Sequence, residues 1–391
     1  MTRARVAGRS RPRLVHLTTT DMSLAWLLRP QLEAFAAAGY EVIGVSAPGP
    51  FVDELERAGI RHEALAHATR AMSPTHDLAA AGELFRLLRE LRPDILHTHN
   101  PKPGWYGRPV GRLAGVPVVV NTVHGLYAVP GDPLAKRAVV YALERIAAAC
   151  SQAELLQNRE DIEVLARLGV PRSRIHLLGN GIDLHRFDPT TIDADARAWS
   201  RAELGAPDGA VVVGTVGRLV AEKGIAEVLA AAAARDGTDP PLHWALVGPD
   251  DPDKADAVDP ASLERARGAG VAVLGERDDV ERLYAGMDIF VLASHREGFP
   301  RAAMEAAAMG LPIVATDIRG CRQVVDDGVT GRLVPVRDAG ALASAIGELA
   351  SAPETRREMA EKARAKAVRE FDQQRVIDIT LGVYEELLAR G

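Results

Sequence analysis

Several things are scarce in this 391-residue chain, and each scarcity removes a class of protein. There are only two cysteines, Cys150 and Cys321, so no disulfide framework holds the fold, the pattern suits a reducing compartment, and both read as small buried residues rather than nucleophiles. Aromatic residues make up 4% and do not interleave with basic ones; with a net charge of -6 this argues against nucleic-acid binding. No run reaches the ~18 apolar residues of a spanning helix. The Arg-studded start (Arg3, Arg5, Arg9, Arg11, Arg13) leads through Leu14–Leu17 straight into Thr18, Thr19, Thr20 and Asp21, so no signal-peptide core fits, and a cytoplasmic protein is expected.

What is present is ordinary globular material: 47% hydrophobic and 26% charged residues, enough for two cores of roughly 150 to 200 residues each. Charge is unevenly placed. Lys and Arg outnumber Asp and Glu by 22 to 18 over residues 1–185 and are outnumbered by 25 to 35 over 186–391. The basic half is expected to be solvated, with a peripheral contact to an anionic membrane face as the sharper reading.

In the first half, short β-branched runs at 14–17, 41–48, 94–100 and 116–125 alternate with Ala/Leu/Arg segments of helical period. The second half repeats this with runs at 211–219, 242–248, 271–275, 288–294, 312–316 and 331–335. Alternation of this kind predicts parallel sheets with crossover helices, hence an α/β chain of two doubly wound domains facing a cleft. The segment around Gly179, Asn180, Gly181 and Pro189 reads as linker and hinge. The expected boundaries are a basic tail over 1–13, a first domain over 14–185, a second over 186–370, and over 371–391 a helix packing back across the hinge.

Around Gly-Phe-Pro (298–300) the chain places Glu297 and Glu305 eight positions apart. Glu297 falls at the carboxyl end of the 288–294 strand, and a helix predicted to begin near Pro300 carries Glu305 in its second turn. The amides around Phe299, Arg301 and Ala302 form an anion site at the helix start. Two acids beside an anion site fit a nucleotide sugar, whose diphosphate takes amides and cations while its hydroxyls donate to carboxylates. Arg218 and Lys223, at another strand end, supply the cations. Glu297 and Glu305 alone would pass for ordinary helix-start acids; with Arg218 and Lys223 they make a donor site.

These motifs, EGFPRAAME, GRLVAEKG, NGID and LGERDDVERLYAGMDIFVLAS, taken in order, resemble the retaining family 4 glycosyltransferases of GT-B fold, from Pro12 onward. The resemblance implies a retaining hexosyltransferase-type enzyme that moves a sugar from a nucleotide diphosphate, UDP above all, to an acceptor hydroxyl, with no cofactor or metal. It implies that Arg218 and Lys223 hold the diphosphate, Glu305 the ribose, Glu297 the sugar ring, and Gly275, Glu276 and Arg277 the base, with Gly217, Gly298, Phe299 and Arg301 lining the donor. His124 is implied to reach the sugar from the first domain, on closure of the cleft. HTHNPKPG and NTVHGLY look closest to members that extend cell-surface glycans on polyprenyl-diphosphate carriers. The chain departs from the pattern in having Pro300 where many members have Gly, TTTD where a glycine pair is frequent, and Gln323 where Glu is frequent.

Thr19, Thr20, His99 and Lys102, with Arg70, are the acceptor-side candidates. His97 and His99 alternate on one strand and share a face, yet no third ligand is evident in the sequence, so no metal centre is expected there. Asp251 and Asp253 read as a solvated acidic loop. Two other functions remain open at this point: a nucleotide-sugar epimerase of the same architecture, and a non-catalytic sugar-nucleotide-binding subunit.

Overall fold

The computed structural model describes residues 11–390 apart from Asn100, 129–130, 235–239 and 252–255; the basic residues of positions 1–10 and Asp253 therefore lie outside the described residues. The chain forms two compact units, residues 1–179 with 374–391, and residues 180–373.

The first unit is built on a seven-stranded sheet: β1 (Arg13–Thr20), β2 (Glu41–Ala47), β3 (Arg61–Ala64), β4 (Ile95–His99), β5 (Val118–Val123), β6 (Ala153–Leu156) and β7 (Ile175–Leu177). All pairings are parallel, in the order β3-β2-β1-β4-β5-β6-β7. A parallel sheet is covered on both faces, which is why β5 is buried at all six positions and shows no polar alternation. Along β1, Leu14 packs with Leu24, Leu32, Phe35 and Tyr384, whereas Val15 and Leu17 pack on the opposite face with Ile43, Leu84 and Leu96. Tyr384 comes from the last helix, Gln373–Arg390, whose Val376, Ile377 and Val383 complete that first core. The sequence reading had missed β3, β6 and β7. They are three or four residues long, and AELL (153–156) has no β-branched residue to mark it.

The second unit carries β8 (Val211–Val216), β9 (Leu242–Val247), β10 (Ala272–Val273), β11 (Ile289–Leu292), β12 (Ile313–Thr316) and β13 (Gly331–Val334), parallel in the order β10-β9-β8-β11-β12-β13. Val212, Phe290 and Leu292 fill one face, and Val213, Ile289 and Val291 the other.

Both sheets reverse their strand order once at the centre, β1 beside β4 in the first and β8 beside β11 in the second. Connections from the two central strands leave in opposite directions there, which opens a crevice at the carboxyl ends. The candidate residues gather at these two places.

Candidate functional site

In the second unit, β8 ends at Val216 and the chain turns through Gly217 and Arg218 into a short 3₁₀ turn, Ala221–Lys223. Gly224 follows with φ +70°, and a Cβ there would lie 2.0 Å from the carbonyl oxygen of Ala293, just past β11. Glycine therefore lets the Lys223 turn rest on the neighbouring strand end. Lys223 reaches across the switch point to Glu297, its Nζ 2.5 Å from Oε1. The same oxygen accepts a bond from Ser294 Oγ at 2.8 Å, so the carboxylate is held from two sides. Gly320 packs behind it, where a Cβ would come within 2.6 Å of the Glu297 carbonyl oxygen.

Pro300 caps the helix Arg301–Ala308. Met304 is the first residue to donate back within it, to the Pro300 carbonyl, so the amides of Arg301, Ala302 and Ala303 face outward as the positive end of the helix. Glu305 lies one turn inside, with Arg301 Nε 3.9 Å from Oε1 and Tyr284 Oη 3.1 Å from Oε2. Burial raises the pKa of Glu305, opposed by Arg301 and by the Tyr284 hydroxyl. Phe299 stands edge-on to Phe371, 5.8 Å between centroids, and its carbonyl meets Asn180 Nδ2 at 3.4 Å.

Other residues of the donor set are engaged locally. Arg218 bonds Asp251 at 2.9 Å, so this aspartate is an ion-pair partner rather than a purely solvated one, while its guanidinium stays half exposed. Gly275 accepts from the Gly248 amide at 2.8 Å. Arg277 makes two 2.8 Å bonds to Asp279 and one of 2.9 Å to Glu203, and these carboxylates raise its pKa. With the guanidinium so occupied, the backbone of 275–277 and the exposed Glu276 side chain are the parts of this segment left to meet a ligand. Gln323 turns its amide to the Arg319 carbonyl at 3.3 Å.

In the first unit, His124 directly follows β5, and its Nε2 lies 3.1 Å from His99 Nδ1. His99 Nε2 in turn lies 2.9 Å from His16 Nδ1. His16 was absent from the sequence reading. It is the third imidazole that the reading of His97 and His99 lacked, brought in because β1 and β4 pair His16 with His97. Suitable nitrogens of His16, His97 and His99 lie within 4.8 Å of one another. They are already hydrogen-bonded, however: His97 to Tyr384 Oη and to Thr122 Oγ1, and His99 to His16 and His124.

Burial lowers all four pKa values, that of His16 to about 3 and that of His124 to about 4, with Gln157 opposing at His124. The rings are neutral at pH 7. His16 Nε2 is buried without a partner, and a bare nitrogen is less costly there than an orphaned N–H. His16 Nδ1–H then donates to His99, and His99 Nδ1–H donates to His124 Nε2. His124 is left with Nδ1–H as its donor, and the Gln157 side chain hydrogen-bonds this imidazole.

Of the acceptor-side residues, Thr19, Thr20, Arg70 and Lys102 line one cavity of about 250 Å³ together with Ser23, Met72 and Tyr127. Two expectations need correction. His99 is not among the lining residues; it is 1% exposed, with both ring nitrogens bonded to other imidazoles. Lys102 does line the cavity, but its ammonium is held by Asp77 at 2.6 Å and by the carbonyls of Thr69 at 2.8 Å and Ala71 at 2.6 Å. It braces the 69–71 loop. Arg70, on that loop, has Met22 Sδ at 3.6 Å as its hydrogen-bond partner among the described residues.

Sequence reasoning also missed Ser294, Tyr284 and Tyr384. Ser294 was detectable, three residues before Glu297 at a strand end. Tyr284 and Tyr384 lie 21 and 287 positions from their partners, and nothing local points across such a gap.

Residues 197–366 match the family described as glycosyl transferases group 1, and residues 5–186 match glycosyltransferase family 4. The chain is 30% identical over 301 residues to a UDP-Gal:α-D-GlcNAc-diphosphoundecaprenol α-1,3-galactosyltransferase of Escherichia coli, covering 76% of each protein. It is 32% identical over 319 residues to a GDP-mannose-dependent α-mannosyltransferase of Mycobacterium tuberculosis, covering 78% of each. A glycosyltransferase structure from Rickettsia africae superposes with a TM-score of 0.80 over 98% of this chain and 100% of that one, at 19% identity. The fold is GT-B.

Proposed function

The chain belongs to the group 1 and family 4 glycosyltransferases, and from that premise we propose that it transfers a sugar, with retention, from a nucleotide diphosphate to a hydroxyl of a lipid-linked saccharide at a membrane surface. The observation that carries the donor reading is the Lys223–Glu297 pair at the β8/β11 switch point, with the Arg301–Ala308 helix start beside it. A cation, a carboxylate and outward amides at one strand end suit a ligand that is anionic at one place and rich in hydroxyls at another.

Breaking the sugar–diphosphate bond is the costly step. Lys223, Arg218 and the amides of Arg301 and Ala302 would stabilise the charge that develops on the leaving diphosphate. Glu305, buried and held by Tyr284, would accept from a ribose hydroxyl, and the backbone of Gly275–Arg277 would meet the base. Glu297 would accept from the sugar's hydroxyls. This scheme assigns no step to a metal ion, so EDTA is expected to leave the rate unchanged.

UDP is the proposed donor nucleotide and undecaprenyl diphosphate the proposed lipid carrier, both by analogy with the galactosyltransferase relative. The mannosyltransferase relative is named for GDP-mannose, so the donor has to be tested rather than assumed.

The test is slow hydrolysis of a panel of UDP-, GDP- and ADP-sugars by purified protein, beside Glu297→Ala. Release of one nucleotide, abolished in the variant, supports the proposal and identifies the donor. Conversion of the sugar to its epimer with donor alone would replace it with an epimerase. Donor binding without turnover in the presence of any lipid-linked acceptor would replace it with a binding subunit.

A further inference from the structure

An acid in the first turn of a helix is favoured by the helix dipole, but beside a phosphate site it also competes for the cations that hold the phosphate. The second unit has such an acid. The helix Ile225–Ala234 carries Glu227 in its first turn, four positions after Lys223. Its side chain is 16% exposed and turns to another element: Oε1 lies 2.8 Å from Nε2 of His295, in the loop after β11. A carboxylate only accepts, so this nitrogen carries the hydrogen and donates it.

The backbone joins the same two segments, since the His295 amide donates to the Glu222 carbonyl at 2.8 Å. Two side-chain pairs therefore cross the β8/β11 switch point next to each other. Lys223 meets Glu297, and Glu227 meets His295, two residues before Glu297. Both segments are irregular. Ala221–Lys223 is a single 3₁₀ turn ended by Gly224 at φ +70°, and residues 293–300 form neither helix nor strand. Asp256 also holds the turn, accepting from the Ala221 amide through its carbonyl at 2.7 Å and from the Glu222 amide through Oδ2 at 3.1 Å. These bonds fix the backbone of the turn, but none of them decides which carboxylate the Lys223 ammonium meets.

We propose that His295 is a positioning residue for the donor diphosphate: by holding the Glu227 carboxylate it keeps that acid off Lys223, and leaves Lys223 to Glu297 and to phosphate. The inference rests on the donor reading given above. Lys223 ends in a mobile point charge with three donors, so it turns to whichever acceptor is presented to it. Ser294 Oγ, 2.8 Å from Glu297 Oε1, presents Glu297; the imidazole occupies Glu227. Without the imidazole, the Glu227 carboxylate stands beside the phosphate position as a rival for the same cation. The plainer account is a staple that ties helix to loop and does nothing else. The two accounts differ in what removal of the Glu227 charge should do.

The test is calorimetric titration of the full-length protein with UDP, GDP and ADP, followed by titration of the variants with the nucleotide that binds. His295→Ala leaves the backbone bond to Glu222 in place and releases Glu227. It should bind roughly tenfold more weakly than the parent, the hold of one cation on a phosphate. His295→Gln, whose amide can still donate to Glu227, should stay within about threefold of the parent. His295→Ala/Glu227→Gln lacks both the clamp and the rival charge, and should recover most of the lost affinity. Glu227→Gln alone should bind no more weakly than the parent. All thermal midpoints should lie within about 4 °C of the parent's, because one partly exposed pair holds little stability.

A staple predicts a different order: the double variant, equally untied, would bind as weakly as His295→Ala, and Glu227→Gln would weaken binding too. That order, or a His295→Ala protein that binds like the parent, would overturn the inference and leave the donor site standing. A parent that binds none of the three nucleotides would refute the donor reading itself, and this inference with it.

Discussion

Glu297→Gln should move donor binding and catalysis in opposite directions. In the parent, the carboxylate holds Lys223 at 2.5 Å and is itself held by Ser294 at 2.8 Å. Glutamine keeps the shape and can still accept from Ser294, but it removes one negative charge from beside the proposed diphosphate position. At about 6 Å and an effective dielectric of about 20, a carboxylate repels a phosphate charge by about 3 kcal/mol; partial exposure reduces the usable effect to about 1 kcal/mol. The substitution also frees Lys223 to turn fully to phosphate. UDP, which has no sugar, should therefore bind roughly fivefold tighter to Glu297→Gln. Transfer should fall by about 10² or more, since the sugar's hydroxyls lose an ionic acceptor placed for the transition state. Titration calorimetry with UDP and turnover with the identified donor measure the two effects separately. Weaker UDP binding by the variant, or unchanged turnover, would refute the placement of Glu297 between phosphate and sugar.

Gly224→Ala should abolish UDP-induced thermal stabilisation, because a Cβ 2.0 Å from the Ala293 carbonyl oxygen, on a residue with φ +70°, must push the Lys223 turn off the strand end. Arg108→Leu should destabilise the first unit by about 3–5 kcal/mol in urea titration, because Glu144 and Glu154 would then be buried without their cation. Acid should weaken the protein below pH 6.5. His16 and His124 bind protons in the unfolded chain near 6.5 but only near 3 and 4 when folded, so their contribution is complete above 6.5 and is lost as pH falls through this window. Each neutral buried imidazole adds a slope of about 1.4 kcal/mol per pH unit. Urea midpoints at pH 7.5 and 5 should therefore lie closer together in His16→Phe than in the parent.

How much was legible in advance depended on how local each feature is. All six strands of the second sheet were visible as apolar runs, because a strand covered on both faces needs a continuous run whatever its neighbours are. Glu297, Lys223 and Arg218 could be placed at strand ends by counting from those runs. The chemical types in the donor set, two acids with two cations beside a helix start, were likewise written in the sequence.

Only the tertiary structure decided which of these groups meet. Parallel pairing joins strands distant in sequence, and the reversal of strand order put Lys223 against Glu297, 74 positions away. It also set His16 beside His97, turning a pair of histidines into a buried cluster. Availability was equally invisible: Lys102 read as an acceptor-side candidate and Arg277 as a contact to the base until Asp77, Asp279 and Glu203 were seen to hold them. Residue type and spacing determine what a segment can do, but which face is covered and which charge is already paired depend on neighbours that local sequence does not specify.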